Sequence, residues 1–408
     1  MKRHRLFILF AVLLPFSLAG RAESLSALFT NVAPAVTTAM PRRANIILIV
    51  ADSLGYGDVS CYGQKKFQTP NLDKLAAEGI RFTNYYAAAT ANSPAHAALL
   101  LGREAGHLKQ RADANVPLTE KEATVAQLLK NSGYHTGLIG EWNLGDETTA
   151  GAPWKKGFDE FAGYFNAADA ENYYADYIWR YAPRSIVNPT NNQIEDYVGW
   201  EMLYPNTGGK KGQYIPDIYT KAAMNFAVNN QPDAANRYRP FFLVVNYTTP
   251  RANAVEAKRT GNGLQVPSDA PFSSEAWPQA EKNRAAMIAR LDGDIGKLVE
   301  QLQQIGQASN TVIFVSSASI AKAGGGVDPK FFSSNVASND LRVPMIVNWP
   351  GKIPAGRVSN LRWSAMDFAP TALQIGHVKP AASFMGISIL PALRGESGTT
   401  TNIPPAVY

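Results

Sequence analysis

Asp52, Thr90, Ser93 and His96 are polar side chains set where a fold could bring them to bear on a reacting group. From Asn45 to Ala51 the chain is an apolar run that ends at Asp52, as in a parallel strand buried on both faces that delivers its loop to a site. Thr90 and Ser93 flank Asn92 at a helix start. A hydroxyl there could serve as a nucleophile if a neighbouring base took its proton, whereas the Asn92 carboxamide could not. Ser93 reads more simply as the N-cap of that helix, and His96 as a packed or solvated histidine rather than an anion ligand. Cys61, the single cysteine, lies far from any histidine. It reads as a buried structural thiol and comes too late in the chain to be a lipoprotein anchor.

The elements that must position these groups alternate. Thr69-Pro70 opens a helix through Leu72 to Glu78, stopped by Gly79. A second helix is predicted from Thr119 through Leu129 to Gly133, and a strand over His135 to Gly140. Phe241 to Tyr247, Thr311 to Ser316 and Pro344 to Asn348 read as further strands, with a long helix between Ala280 and Ile305. This order predicts an α/β sandwich with a largely parallel central sheet flanked by helices, its functional loops on one edge. The polar, Asn- and Tyr-rich segment 165–213 reads as a long surface excursion that could border the site.

Lys2, Arg3 and Arg5, the apolar Leu6 to Leu18 and the small-residue Gly20-Arg21-Ala22 form a signal-peptide pattern over 1–22. A lead-in without periodicity follows over 23–43, and one α/β domain over 44–408. The expected location is secreted or periplasmic, with no membrane span once the signal is cleaved. Most of the net charge of +6 resides in that leader: without Lys2, Arg3, Arg5 and Arg21, 35 basic residues face 33 acidic ones. Such a balance offers no electrostatic case for nucleic acid.

Several separated motifs then fall in a familiar order. Ala51-Asp52-Ser53-Leu54-Gly55-Tyr56-Gly57-Asp58, Thr69-Pro70-Asn71-Leu72-Asp73, Thr90 to Arg103 and Gly140-Glu141-Trp142-Asn143-Leu144-Gly145 are the first four. Tyr173 to Arg180, Pro240 to Pro250, Ala286 to Asp292, Arg342-Val343-Pro344 and Trp349 to Pro354 continue the series. Together they resemble the sulfatases of the alkaline phosphatase superfamily. The resemblance implies that superfamily's sandwich fold, a calcium ion and a formylglycine nucleophile made from Cys or Ser. It also implies a small C-terminal sheet subdomain, which reads here as missing or truncated after Leu390 to Gly395.

The positions that the resemblance marks as functional are substituted. The nucleophile position is Asn92, and the Arg four residues later is His96. Of the metal-ligand positions Asp52 remains, while its partner is Ser53 and the later Asp-Asn pair is Ser317-Ala318. The sulfate-facing Lys and His become Glu141 and Asn143, a second His becomes Arg251, and a further Lys falls near Ser333. Neither calcium nor formylglycine is expected, because one carboxylate is a poor calcium site and an amide cannot become the aldehyde. The expectation is a catalytically inactive pseudoenzyme, with a sulfated glycan or a protein as partner. The alternatives are an active sulfuric or phosphoric ester hydrolase using Ser93 or Thr90, and a sulfated-glycan-binding module built on Arg251, His96 and the 165–213 aromatics.

Overall fold

The apolar run Asn45–Ala51 forms strand β1, and every residue of it is buried. The computed structural model describes residues 42–110, 116–187, 194–232, 239–319 and 341–396, with 184–187 and 194–197 given by backbone alone. The signal peptide read at 1–22, nearly all of the lead-in and Ser333 therefore lie outside the described residues.

β1 lies inside a ten-stranded sheet. It pairs in parallel with β8 (Phe241–Asn246) on one side and with β9 (Thr311–Ser317) on the other. β4 (His135–Glu141) follows β8, and β5 (Glu160–Tyr164) follows β4, again parallel. Beyond this parallel centre the sheet turns antiparallel. β10 (Met345–Asn348) pairs with β9 and with β2 (Ile80–Phe82), and β11 (Arg357–Ser359) closes that edge in parallel with β2. On the opposite flank β6 (Ile178–Val187) pairs with β5, and β7 (Ile194–Leu203) pairs with β6. The sheet is thus parallel in its middle, where both faces are covered, and mixed overall.

Because successive strand residues point to opposite faces, the apolar strands feed two cores. Ile46, Leu48, Val50, Phe242, Val244 and Phe314 share one core with α2 (Asn92–Leu101), α3 (Val125–Asn131) and α8 (Phe368–Ile375). Ile47, Ile49, Leu243 and Val245 share the other with α1 (Pro70–Ala77), α5 (Ile215–Asn229) and α7 (Gln279–Gln304). Each large apolar side chain so buried stabilises the fold by about 1.5–3 kcal/mol. That double covering holds the loops at the strand ends in place.

Two local expectations change. The second helix starts at Val125 rather than Thr119, because Thr124 caps it by accepting from the Gln127 N–H. Thr119 instead gives both its N–H and its hydroxyl to the Glu122 carboxylate, a closed turn that precedes the helix. Thr69 is the N-cap of α1 as expected, but the first-turn donors go elsewhere: Asp292 of α7 accepts from the N–H groups of Asn71 and Leu72. The segment 165–213, read as a surface excursion, contributes the two ten-residue strands β6 and β7 to the sheet. Trp179 and Tyr181 of β6 hold it down by packing on Phe165 and Trp154.

Candidate functional site

The sheet registers bring one row of residues to the carboxyl ends of the parallel strands. Ala51 lies opposite Ser317, Val50 opposite Asn246, and Asn246 opposite Gly140. The next residues along β1 and β4 are Asp52 and Glu141, so two carboxylates from different strands emerge at one edge. Both are almost completely buried. Arg251, in the loop after β8, reaches between them, with one terminal nitrogen 2.6 Å from Asp52 Oδ2 and the other 2.8 Å from Glu141 Oε2. Its position is fixed from the backbone, since its N–H donates to the Thr248 carbonyl and its own carbonyl accepts the Tyr173 hydroxyl at 2.6 Å.

Asn92, the first residue of α2, turns its amide into the same cluster. Its Nδ2 donates to Asp52 Oδ2 at 2.7 Å and to Glu141 Oε1 at 3.4 Å. Ser53 donates its hydroxyl to Asp52 Oδ1, and so does Ser319, a residue that the sequence reading did not single out. Its only sequence signal is the hydroxyl-rich Ser316-Ser317-Ala318-Ser319 at the end of a predicted strand. Asp52 therefore accepts from Ser53, Ser319, Asn92 and Arg251. Glu141, by contrast, meets Arg251 and the more distant Asn92 amide.

The remaining candidates have other surroundings. Ser93 does not cap α2: Ala91 is the N-cap, and the buried Ser93 hydroxyl donates to the Asn143 carbonyl at 3.0 Å. One residue further into the helix, its side chain faces the segment after β4 instead of Asp52. Thr90 is exposed. His96 is buried with Nδ1 3.4 Å from the Trp142 carbonyl, a packed histidine. Ser317 Oγ is occupied by backbone, accepting from the Leu54 N–H and lying 2.7 Å from the Ser319 carbonyl. Ala318 has no side-chain donor. The Asn143 amide is buried with no partner for either polar atom among the described residues, and its backbone has a left-handed φ of 63°. Ser53 shares that conformation at φ 64°. Non-glycine residues seldom adopt it, and when they do it is often beside a site.

Electrostatically one guanidinium faces two carboxylates, so Arg251 offsets one of the two negative charges. Burial alone would lower the Arg251 pKa, but the Asp52 and Glu141 carboxylates reverse that and raise it, so the guanidinium stays charged. Burial raises the carboxyl pKa of nearby Glu171, against the opposing pull of the Ala254 N–H and of Arg251. A hard cation such as calcium needs six to eight oxygen ligands. Here the carboxylate oxygens of Asp52 are bound by hydroxyls, an amide and a guanidinium, and the fixed positive charge of Arg251 would repel a second cation. These residues do not fit a calcium ion. Nor do any three His, Cys, Asp or Glu side chains among the described residues group to hold a metal. Cys61, only half-buried, is an unreactive thiol, pushed up to about 12 by burial and by the Asp73 carboxylate.

The family model for sulfatases matches residues 44–378. The chain belongs to the sulfatase family. It is 30% identical over 398 residues to N-acetylgalactosamine-6-sulfatase of Canis lupus familiaris, covering 90% of this chain and 69% of that one. It is 29% identical to human arylsulfatase A, covering 88% and 69%. Among solved structures, Ps i-CgsB in complex with k-i-k-neocarrahexaose matches with a TM-score of 0.68 and 30% identity, over 86% of this chain and 76% of that one. This sulfatase-family chain spans about two thirds of the length of the N-acetylgalactosamine-6-sulfatases that it matches. The sulfatase and alkaline-phosphatase-like α/β sandwich expected from the motifs is thus the fold it adopts.

Proposed function

We propose that this sulfatase-family chain is an exported pseudoenzyme that turns over no sulfuric ester and acts by binding. The observation that carries this reading is the state of position 92. A carboxamide stands there and donates to Asp52, and the adjacent Ser93 hydroxyl is bound to the Asn143 carbonyl. Neither group is poised as a nucleophile beside a base. The displaced-hydroxyl alternative needs Ser93 or Thr90 opposite Asp52. The hydrogen bonding of Ser93 and the exposure of Thr90 both count against it.

Export rests on the basic, apolar and small-residue pattern over 1–22. No helix among the described residues is long and apolar enough to cross a membrane. The ligand class that we infer is a sulfated glycan, because N-acetylgalactosamine-6-sulfatase is named for a sulfated sugar and Ps i-CgsB was solved with an oligosaccharide. With its guanidinium engaged by Asp52 and Glu141, Arg251 is a poor anchor for the sulfate, so such a ligand would be held by other side chains.

Purified protein supplied with an aryl sulfate and excess calcium is expected to release product no faster than buffer. Turnover that disappears in Asp52→Ala or Ser93→Ala would overturn the reading. Retention on an immobilised sulfated polysaccharide, with none on its desulfated counterpart, is the expected binding result.

A further inference from the structure

The disagreement between these residues and a calcium ion leaves a physical question. Asp52 and Glu141 are buried, ionisable and close enough to share one guanidinium, an arrangement that is costly unless a positive charge sits between them. In a metal site the ion supplies that charge. In this chain Arg251 does so from within the sequence. Each of its terminal nitrogens takes one carboxylate, and its backbone is held at both ends by Thr248 and Tyr173. A third tie runs from the Glu141-facing nitrogen to the Ala167 carbonyl at 3.2 Å. We propose that Arg251 is a tethered cation that takes the place of the metal ion in this sulfatase-family site, so that the folding of this cluster needs no divalent ion.

This deepens the non-hydrolytic reading and rests on it, since a guanidinium clamped by two carboxylates neither activates a nucleophile nor leaves a cation open to sulfate. It also makes an asymmetric prediction. Among the described residues, Asp52 keeps Ser53, Ser319 and Asn92 as donors when Arg251 is removed, whereas the Glu141 side chain keeps the Asn92 amide at 3.4 Å. Glu141 should therefore be the stranded charge.

The experiment is thermal unfolding of the full chain and of Arg251→Ala, Glu141→Gln and the double variant Glu141→Gln/Arg251→Ala, each in EDTA and in excess calcium. The wild-type Tm is expected to be the same in both solutions. Arg251→Ala should lower it by about 5 °C or more. The double variant should regain most of that loss, a strongly non-additive result. A wild-type Tm that rises with calcium overturns the proposal, as does strict additivity of the two substitutions. If Arg251→Ala yields no folded protein, the double variant decides: recovery supports the tether and no recovery overturns it. Aryl sulfate turnover measured on the same samples separates the two ideas. Turnover with a calcium-insensitive Tm sinks the non-hydrolytic reading alone, and calcium-dependent stability without turnover sinks the tether alone.

Discussion

At the residue scale, a one-position shift decides what a hydroxyl can do. Ser93 follows Asn92 by one residue on α2, a rotation of about 100° around the helix, so Asn92 meets Asp52 while Ser93 meets the Asn143 carbonyl. Ser93→Ala is therefore expected to behave as the loss of one buried hydrogen bond, about 1 kcal/mol in denaturant unfolding. It should leave aryl sulfate hydrolysis at the buffer rate, since the hydroxyl serves packing. Asn143 is the converse case: a buried amide with no partner among the described residues, in a left-handed conformation. Asn143→Gly removes the unpaired group and the strain together, and its unfolding free energy should stay within about 1 kcal/mol of wild type. A larger loss would show that the amide has a role that its contacts do not reveal.

At the element scale, the site depends on how closely β4 approaches its neighbours. Gly140 has φ 105° and lies opposite both Asn246 and Gly163, where an added Cβ would come 1.9 Å from the Asn246 carbonyl oxygen. Gly140→Ala is expected to cost about 3 kcal/mol or more and to displace Glu141, the next residue. A substitution neutral in thermal unfolding would mean that the strand pairing is looser than these distances. The start of α1 makes a second case. Burial raises the pKa of Asp292, against the Leu72 and Asn71 N–H groups that it accepts from. A folded pKa above the unfolded one gives a contribution that is complete below the ordinary value of 3.8 and lost as pH rises through the folded value. The Tm margin of wild type over Asp292→Asn, which does not titrate, should accordingly narrow as pH is raised from about 4. A margin that widens would reverse the sign of the shift.

At the scale of the whole molecule, a second buried arginine secures the edge on which the site is built. Arg284 of α7 pairs with Asp58 at 2.7 Å and donates to the carbonyls of Ser53 and Pro250, joining the loop after β1 to the loop after β8. Those loops carry Asp52 and Arg251. Burial raises the Asp58 pKa although Arg284 opposes it, so the pair depends on its geometry. Arg284→Ala should destabilise by about 3–5 kcal/mol, because it leaves Asp58 buried without its counter-charge. Calorimetry on the single variant, with Arg284→Ala/Asp58→Asn as the comparison, distinguishes a stranded charge from lost packing. If the double variant is no more stable than the single one, packing is the cause.

The apolar runs and the glycine and proline punctuation determined by themselves an α/β alternation, and the motif order carried the resemblance to sulfatases that the family match bears out. Each of those signals is local, and burial on both faces of a parallel strand can be read from an unbroken run such as Ile46 to Val50. The identities at Asn92, Ser53, Glu141, Ser317 and Ala318 were equally plain in the sequence, where the resemblance alone marks them as substituted positions. Only the tertiary structure decided what those departures do together. The sequence presented Arg251 as a cation that could attract an anion, with Glu141 in the same site against it. The fold places it between two carboxylates carried by different strands, one of them 110 residues away. Whether a buried charge is available or neutralised depends on what lies within a few ångströms of it, and register and loop packing, absent from a residue's own neighbourhood in the chain, set that distance.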